Sequence, residues 1–354
     1  MKVMDCPAVN PRLARRSRRT AKVLALVLAG GEGTRLHPLT ASQCKPALPF
    51  AYGFRIVDFV LSNLVNSKIS TVYLLAQYKP DTLIEHIETV WGAWTRRPGA
   101  SLKVVLPRFN ALWGQYRGTA DAVYRNLDLI ERHQPDLVAV FAADHVYRMD
   151  VGQMIQFHRS RKAEITIGAA QVPIQHASSF GLLTTAADRR VLEMQEKPER
   201  PAPIPNSPRH AYASMGNYLF EPKVLIEVLE EVSTQGGTDF GRDILPASTQ
   251  RRRLFAYDLH SNHVPGLGAH EERGYWRDVG TLDALAAARE DVLGPKPRFN
   301  PWNEWWPIYG EARPMPADTA VRRARVRRSL SPPPAAQQLP LLATQQPSTT
   351  TSIA

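Results

Sequence analysis

The chain reads as an α/β protein built on a mixed, mostly parallel sheet with helices on both faces. Three observations predict this. Short apolar runs alternate with amphipathic stretches through the first half, a glycine-rich turn opens directly out of the first apolar run, and 354 residues at 44% hydrophobic content can bury one large core or two modest ones.

The first run, VLALVLA (23–29), is continuous and short, as in a strand buried on both faces. After it the spacing predicts a helix near 58–66, a strand at 71–76, a helix near 80–90, a strand at 103–106, a helix near 119–132 and a strand at 137–142. That rhythm implies right-handed βαβ units, whose ligands sit beyond the carboxyl ends of the strands. The glycine turn and Asp144 each follow a strand, so both should face one crevice. Strands and helices continue from 151 to about 292, in ITIGAAQV (165–172), VLIEVLEEV (224–232) and RLFAYDL (253–259), and form the second half of the same domain. Residues 261–274 are expected to be a loop.

The turn itself, AGGEGTRLHPLT (29–40), suits a triphosphate. Gly30, Gly31 and Gly33 let backbone N–H groups approach an anion, and Arg35 and Lys45 add permanent positive charge. A Walker A loop does not fit, and a dinucleotide fingerprint would need glycine where Leu36 stands. Glycines after a strand also make ordinary tight turns, so the information lies in the whole run with its two cations.

The formal charge of +11 suggests nucleic acid until it is located. Residues 1–22 hold seven basic residues against one acid and residues 313–354 six against one, while the body between balances at 31 of each. A basic face of the kind that binds nucleic acid is therefore not expected on the folded part. The run RRARVRR (322–328) reads as a solvated tail. Cys6 and Cys44 cannot make a disulfide framework, which fits a reducing cytoplasm. RRSRRTAK followed by VLALVLA imitates a secretory or twin-arginine signal, but the apolar run is too short and passes straight into the glycine turn. No stretch approaches the roughly 20 apolar residues of a membrane span.

Further motifs follow in order: FRIVDFVLSNLVNSKI (54–69), AQYKPDTLIEHI (76–87), QYRGTADAVYRNLDLI (115–130), ADHVY (143–147), SSFGLL (178–183), EKP (196–198), ASMGNYLF (213–220), DFGRDILP (239–246) and YWRDVGTLDAL (275–285). With them, from about residue 22 to 316, the chain resembles the sugar nucleotidyltransferases, and within these the bacterial ADP-glucose pyrophosphorylases. The resemblance implies a Rossmann-like nucleotide-diphospho-sugar transferase fold and transfer of AMP from ATP to glucose 1-phosphate with Mg²⁺, for glycogen synthesis in the cytoplasm.

It also implies roles. Asp144 and Asp278 would hold the metal; Arg35 and Lys45 the triphosphate, with Gly30, Gly31, Gly33 and Thr34 around it; Gln77 and the backbone near Gly118 the adenine; Lys197 the sugar phosphate; Glu196, Tyr116, Gly181 and Ser214 the glucose. Read singly, each has a plainer account: an aspartate after a strand is a turn or helix cap, EKP an exposed charge pair, Tyr116 a core aromatic, Ser214 a buried hydroxyl. Thymidylyl or uridylyl transfer on the same fold, or a noncatalytic regulatory subunit, are the competing functions.

The expected organisation is a basic disordered tail at 1–21, a catalytic domain at 22–295, a linker remnant at 296–317 and a disordered low-complexity tail at 318–354. The family continues into a left-handed β-helix of hexapeptide turns. No such repeat is visible after 317, so that domain is expected to be absent and the chain truncated. This puts homo-oligomer formation and response to sugar-phosphate activators in doubt, as does His37, where some members carry a lysine. Trp302, Trp305 and Trp306 are expected to be exposed for the same reason.

Overall fold

The apolar run after Lys22 is a strand over its whole predicted length. A computed structural model describes residues 21–108 and 114–315. In chain order the strands are β1 (Val23–Ala29), β2 (Pro49–Ala51), β3 (Phe54–Arg55), β4 (Thr71–Ala76), β5 (Ser101–Val105), β6 (Leu137–Ala142), β7 (His145–Tyr147), β8 (Ile165–Pro173), β9 (Gly181–Thr185), β10 (Val191–Glu196), β11 (His210–Phe220), β12 (Leu254–Asp258) and β13 (Trp276–Asp278). The helices are α1 (Ile56–Asn66), α2 (Asp81–Val90), α3 (Gly92–Thr95), α4 (Thr119–Tyr124), α5 (Asp128–His133), α6 (Val151–Ser160), α7 (Pro222–Thr234), α8 (Leu245–Ser248) and α9 (Leu282–Leu293).

Nine strands share one mixed sheet. Its first half, β5-β4-β1-β6, is wholly parallel. Because β4 lies on one side of β1 and β6 on the other, the order reverses at β1, which opens a crevice at the carboxyl ends. Beyond β6 the long β11 runs antiparallel and pairs with β6, β8 and β9; β10 pairs with β9, and β12 runs parallel to β8.

Side chains alternate along β1, and that alternation sorts the core. Leu24 and Leu26 pack with residues of α4, α5 and α7, whereas Val23, Ala25, Val27 and Ala29 join α1, α2 and α6. Helices therefore cover both faces, as the sequence pattern predicts. A third cluster joins Leu36, Phe54 and Phe59 to Tyr275, Leu285, Phe299 and Ile308.

Local signals set the helix ends. The Arg55 backbone N–H donates to the Asp58 carboxylate at 2.8 Å at the start of α1, and Asp150 and Thr281 cap α6 and α9. The single helix expected at 119–132 is instead α4 and α5. Buried Asn126 lies in the break and donates to the Ala122 carbonyl at 2.8 Å and the Tyr116 hydroxyl at 3.0 Å.

The expectation of an exposed tryptophan cluster holds for Trp305 alone, which is 69% exposed. Trp306 is buried and donates from Nε1 to Asn63, and Trp302 packs against Phe54 and Tyr52. Asn63 of α1 and the aromatic rings of the β2–β3 hairpin give the two indoles partners within the domain. The tails expected at 1–20 and 318–354 lie outside the described residues. Among those described there is no coil of a β-helix, and no helix is long and apolar enough to cross a membrane.

Candidate active site

The crevice at the ends of β1, β4 and β6 holds a cavity of about 580 Å³. All fifteen residues nominated from the sequence line it, drawn from segments as distant as Gly30 and Asp278.

The glycine turn forms one wall. Gly33 has φ +69°, a left-handed conformation that favours glycine, and its carbonyl accepts from the Thr40 hydroxyl at 2.9 Å. Lys79 donates to the Thr40 carbonyl at 2.8 Å, and Leu36 is fully buried in the third core cluster. These ties hold the turn while Gly31, Thr34 and Arg35 stay exposed toward the cavity. Among the described residues Arg35 has no ion-pair partner. It lies near Asp278, since a Cβ on Gly280 would stand 3.0 Å from both the Arg35 Nη2 and the Asp278 Oδ1.

The centre is ionic. Strands β7 and β13 form a two-stranded ribbon in which Asp278 stands opposite His145, so carboxylates 134 positions apart become neighbours. Lys45 Nζ donates to Asp144 Oδ2 at 3.1 Å and to Asp278 Oδ1 at 3.2 Å. His145 completes the group, with Nδ1 3.4 Å from Asp144 Oδ1 and Nε2 3.8 Å from Asp278 Oδ1. Its ring packs tilted against Trp276 with centroids 5.1 Å apart.

Burial opposes ionisation of Asp144, but His145 and Lys45 outweigh it and hold the carboxyl well below the usual range. For Lys45, burial is likewise outweighed by Asp144 and Asp278, and its pKa is raised. Asp144 and Lys45 therefore face each other as an ion pair at neutral pH. One ligand atom each from Asp144, His145 and Asp278 lies within 4.8 Å of the others, a donor set whose size and chemistry fit a divalent cation.

Toward β4 the wall is set by Gln77. Its side-chain oxygen accepts from the Tyr116 backbone N–H at 2.7 Å and its amide donates to the Tyr116 carbonyl at 3.3 Å. The amide thus fixes the 116–118 segment and keeps one donor and one lone pair in reserve. Gly118 is required by close approach, because a Cβ there would come within 2.4 Å of the Thr238 carbonyl oxygen. The Tyr116 hydroxyl is turned inward to Asn126, and the ring is part of the core.

Toward β9–β11 the wall consists of side chains. Glu196 and Lys197 pair at 3.4 Å, and a Cβ on Gly181 would come within 2.9 Å of the Glu196 carboxylate. Lys197 has φ +49°, an uncommon conformation for a residue with a side chain. Ser214 precedes the bulge in β11. Phe180 meets Trp276 edge-on at 5.5 Å between ring centroids, extending the aromatic surface begun by His145.

Among the cavity residues that the sequence reading left out, His145, Asp239 and Gly216 matter most to its geometry. His145 had a signal, since it follows Asp144 directly. Asp239 lies in DFGRDILP; it caps the following turn through Gly241 and Arg242 and accepts from the Thr119 hydroxyl at 2.9 Å, so it joins the two halves of the wall. Gly216 has φ +69° behind His145, a conformation that no sequence spacing announces.

The nucleotidyl transferase family model matches residues 24–294. The chain belongs to the nucleotidyl transferase family. Among its relatives, the glucose-1-phosphate adenylyltransferase of Thermodesulfovibrio yellowstonii is 48% identical over 289 residues, which cover 81% of this chain and 70% of that one. The enzyme of the same name from Thermus thermophilus is 45% identical over 301 residues, 81% of this chain and 70% of the other. That of Methylococcus capsulatus is 44% identical over 295, covering 83% and 68%. The cavity of this nucleotidyltransferase lies wholly within the matched span.

Proposed function

We propose that this nucleotidyltransferase transfers AMP from ATP to α-D-glucose 1-phosphate, giving ADP-glucose and pyrophosphate. The observation that carries the reading is the meeting of Asp144, Asp278 and Lys45 at the mouth of the glycine turn, in a family whose similar relatives bear the name glucose-1-phosphate adenylyltransferase.

A phosphate oxygen of the sugar attacks the α-phosphorus of ATP, the bond from that phosphorus to the bridging oxygen breaks, and pyrophosphate leaves with the electron pair. Such a displacement needs alignment and charge neutralisation rather than a covalent intermediate. The glycine turn presents N–H groups, and Arg35 and Lys45 take the charge that develops on the leaving pyrophosphate. Asp144 and Asp278 would hold Mg²⁺, which when bound neutralises phosphate oxygens and orients them. Lys197 pairs with the phosphate of the sugar, and Glu196 accepts from its hydroxyls. Gln77 offers its remaining donor and acceptor to adenine. The product is a glucosyl donor of the kind that glycogen synthesis consumes, and both substrates are metabolites of the cytoplasm.

Incubation with glucose 1-phosphate, Mg²⁺ and each nucleoside triphosphate in turn tests the reading. Pyrophosphate release with ATP is expected. Release with dTTP or UTP but not with ATP would overturn it.

A further inference from the structure

The position of Lys45 bears on how the metal reaches the site. We propose that Lys45 is a built-in counterion which keeps a free divalent cation off the Asp144–Asp278 pair until a triphosphate draws its ammonium away. The inference rests on the function proposed above and specifies what guards that site before the nucleotide arrives.

The two carboxylates are not idle acceptors. The Lys45 ammonium touches Asp144 Oδ2 at 3.1 Å and Asp278 Oδ1 at 3.2 Å, with only 7% of its side chain exposed. The other oxygen of Asp144 faces His145 Nδ1 at 3.4 Å. Three of the four carboxylate oxygens therefore already face a nitrogen, and Asp278 Oδ2 alone does not. A hard divalent ion held by both carboxylates would draw on the oxygens that the ammonium now engages. Two cations so close repel strongly in a partly buried site, so the ion enters only if Lys45 leaves. Lys45 leaves two charge-assisted hydrogen bonds behind and needs an anion to receive it.

A triphosphate supplies both needs. Lys45 is built against the glycine turn: its Cβ lies 3.2 Å from where a Cβ on Gly33 would stand. Rotation about the lysine side-chain bonds therefore carries the ammonium from the carboxylates toward phosphates lodged in that turn. Arg35, on the same turn and without an ion-pair partner among the described residues, adds a second cation for them. The incoming phosphates also bring the oxygen ligands that a magnesium-type ion requires beyond two carboxylates. Metal and nucleotide are thus linked through one side chain, and by linkage each strengthens the binding of the other.

The test uses Mn²⁺ as the probe, read by electron paramagnetic resonance, on the full chain. Without nucleotide, Lys45→Met should bind Mn²⁺ at least about tenfold more tightly than the wild type, which corresponds to about 1.4 kcal/mol, although its turnover is lost. Lys45→Arg, which keeps a cation, should bind free Mn²⁺ as weakly as the wild type. Equal or weaker binding by Lys45→Met overturns the proposal. Should circular dichroism show that Lys45→Met does not fold, the wild type decides alone. Binding of Mn²⁺ only together with α,β-methylene-ATP supports the proposal, and stoichiometric binding of free Mn²⁺ at about 10 μM overturns it. Wild-type pyrophosphate release is measured in parallel. Its absence with the Mn²⁺ pattern intact would overturn the function reading and leave the counterion in place.

Discussion

The two sides of the cavity are built from different materials. On the β1–β4 side the surface rests on main chain, shaped by Gly33 and Gly118 and tied by Thr40, Lys79 and Gln77, from which Arg35 and Lys45 add fixed charge. On the β9–β11 side it is side chains: Glu196, Lys197, Ser214 and the ring cluster of Phe180, Trp276 and His145. A backbone surface recognises what every triphosphate has in common and fails abruptly when a Cβ intrudes. A side-chain surface reads the hydroxyl pattern of one sugar and can be altered by degrees. The ribbon carrying Asp278 spans the two.

The largest effect should come from the shared centre. Asp144→Asn removes a charge that both walls depend on, and pyrophosphate release should fall by about 10³-fold with an unchanged circular dichroism spectrum. A loss of less than tenfold would separate the two walls from any common ionic centre.

Gly118→Ala tests the backbone wall. A Cβ placed 2.4 Å from the Thr238 carbonyl oxygen forces the main chain apart, so urea unfolding should show a loss of about 1–3 kcal/mol and the KM for ATP should rise. Unchanged stability would mean that this wall yields as easily as the other. Glu196→Gln tests the side-chain wall. The KM for glucose 1-phosphate should rise about tenfold while that for ATP stays constant. A rise in both would show that the walls are not independent.

The smallest effect concerns stability behind the antiparallel half. His158 on α6 is buried against Thr166 of β8 at 2.8 Å, and burial, assisted by Arg159, lowers its pKa to about 4. The folded state resists protonating it while the unfolded chain does not. Its contribution is therefore complete above the ordinary histidine pKa of about 6.5 and declines as the pH falls toward 4. At pH 5.5 the wild type should have lost about 1 kcal/mol relative to pH 7.5, measured by urea unfolding. His158→Leu should remove that part of the slope, and a slope that persists would assign it to another group.

The same contrast explains what could be read in the sequence. The strands of the parallel half follow closely from apolar runs, because a strand covered on both faces needs apolar residues at nearly every position; β1 and β4 have their predicted limits. The glycine turn is legible for a related reason, since backbone recognition leaves glycines in the sequence. Glu196, Lys197 and Ser214 are ordinary exposed or buried polar residues in composition, and only their resemblance to family motifs nominated them. The break between α4 and α5 was not legible, because the inward tie of Asn126 to the Tyr116 hydroxyl leaves no mark on the apolar periodicity. Nor was the packing of Trp302 and Trp306, which depends on surfaces far away in the chain.

The β7–β13 ribbon has a consequence for the order in which the molecule matures. Strands β1 to β12 are all synthesised before Trp276, Arg277 and Asp278 emerge, so a nascent chain can complete its central sheet while half of its ionic centre is still missing. Only the pairing of Trp276–Asp278 with His145–Tyr147 brings Asp278 beside Asp144. Any release of the chain from the ribosome before that strand yields a scaffold with a glycine turn and no chemistry.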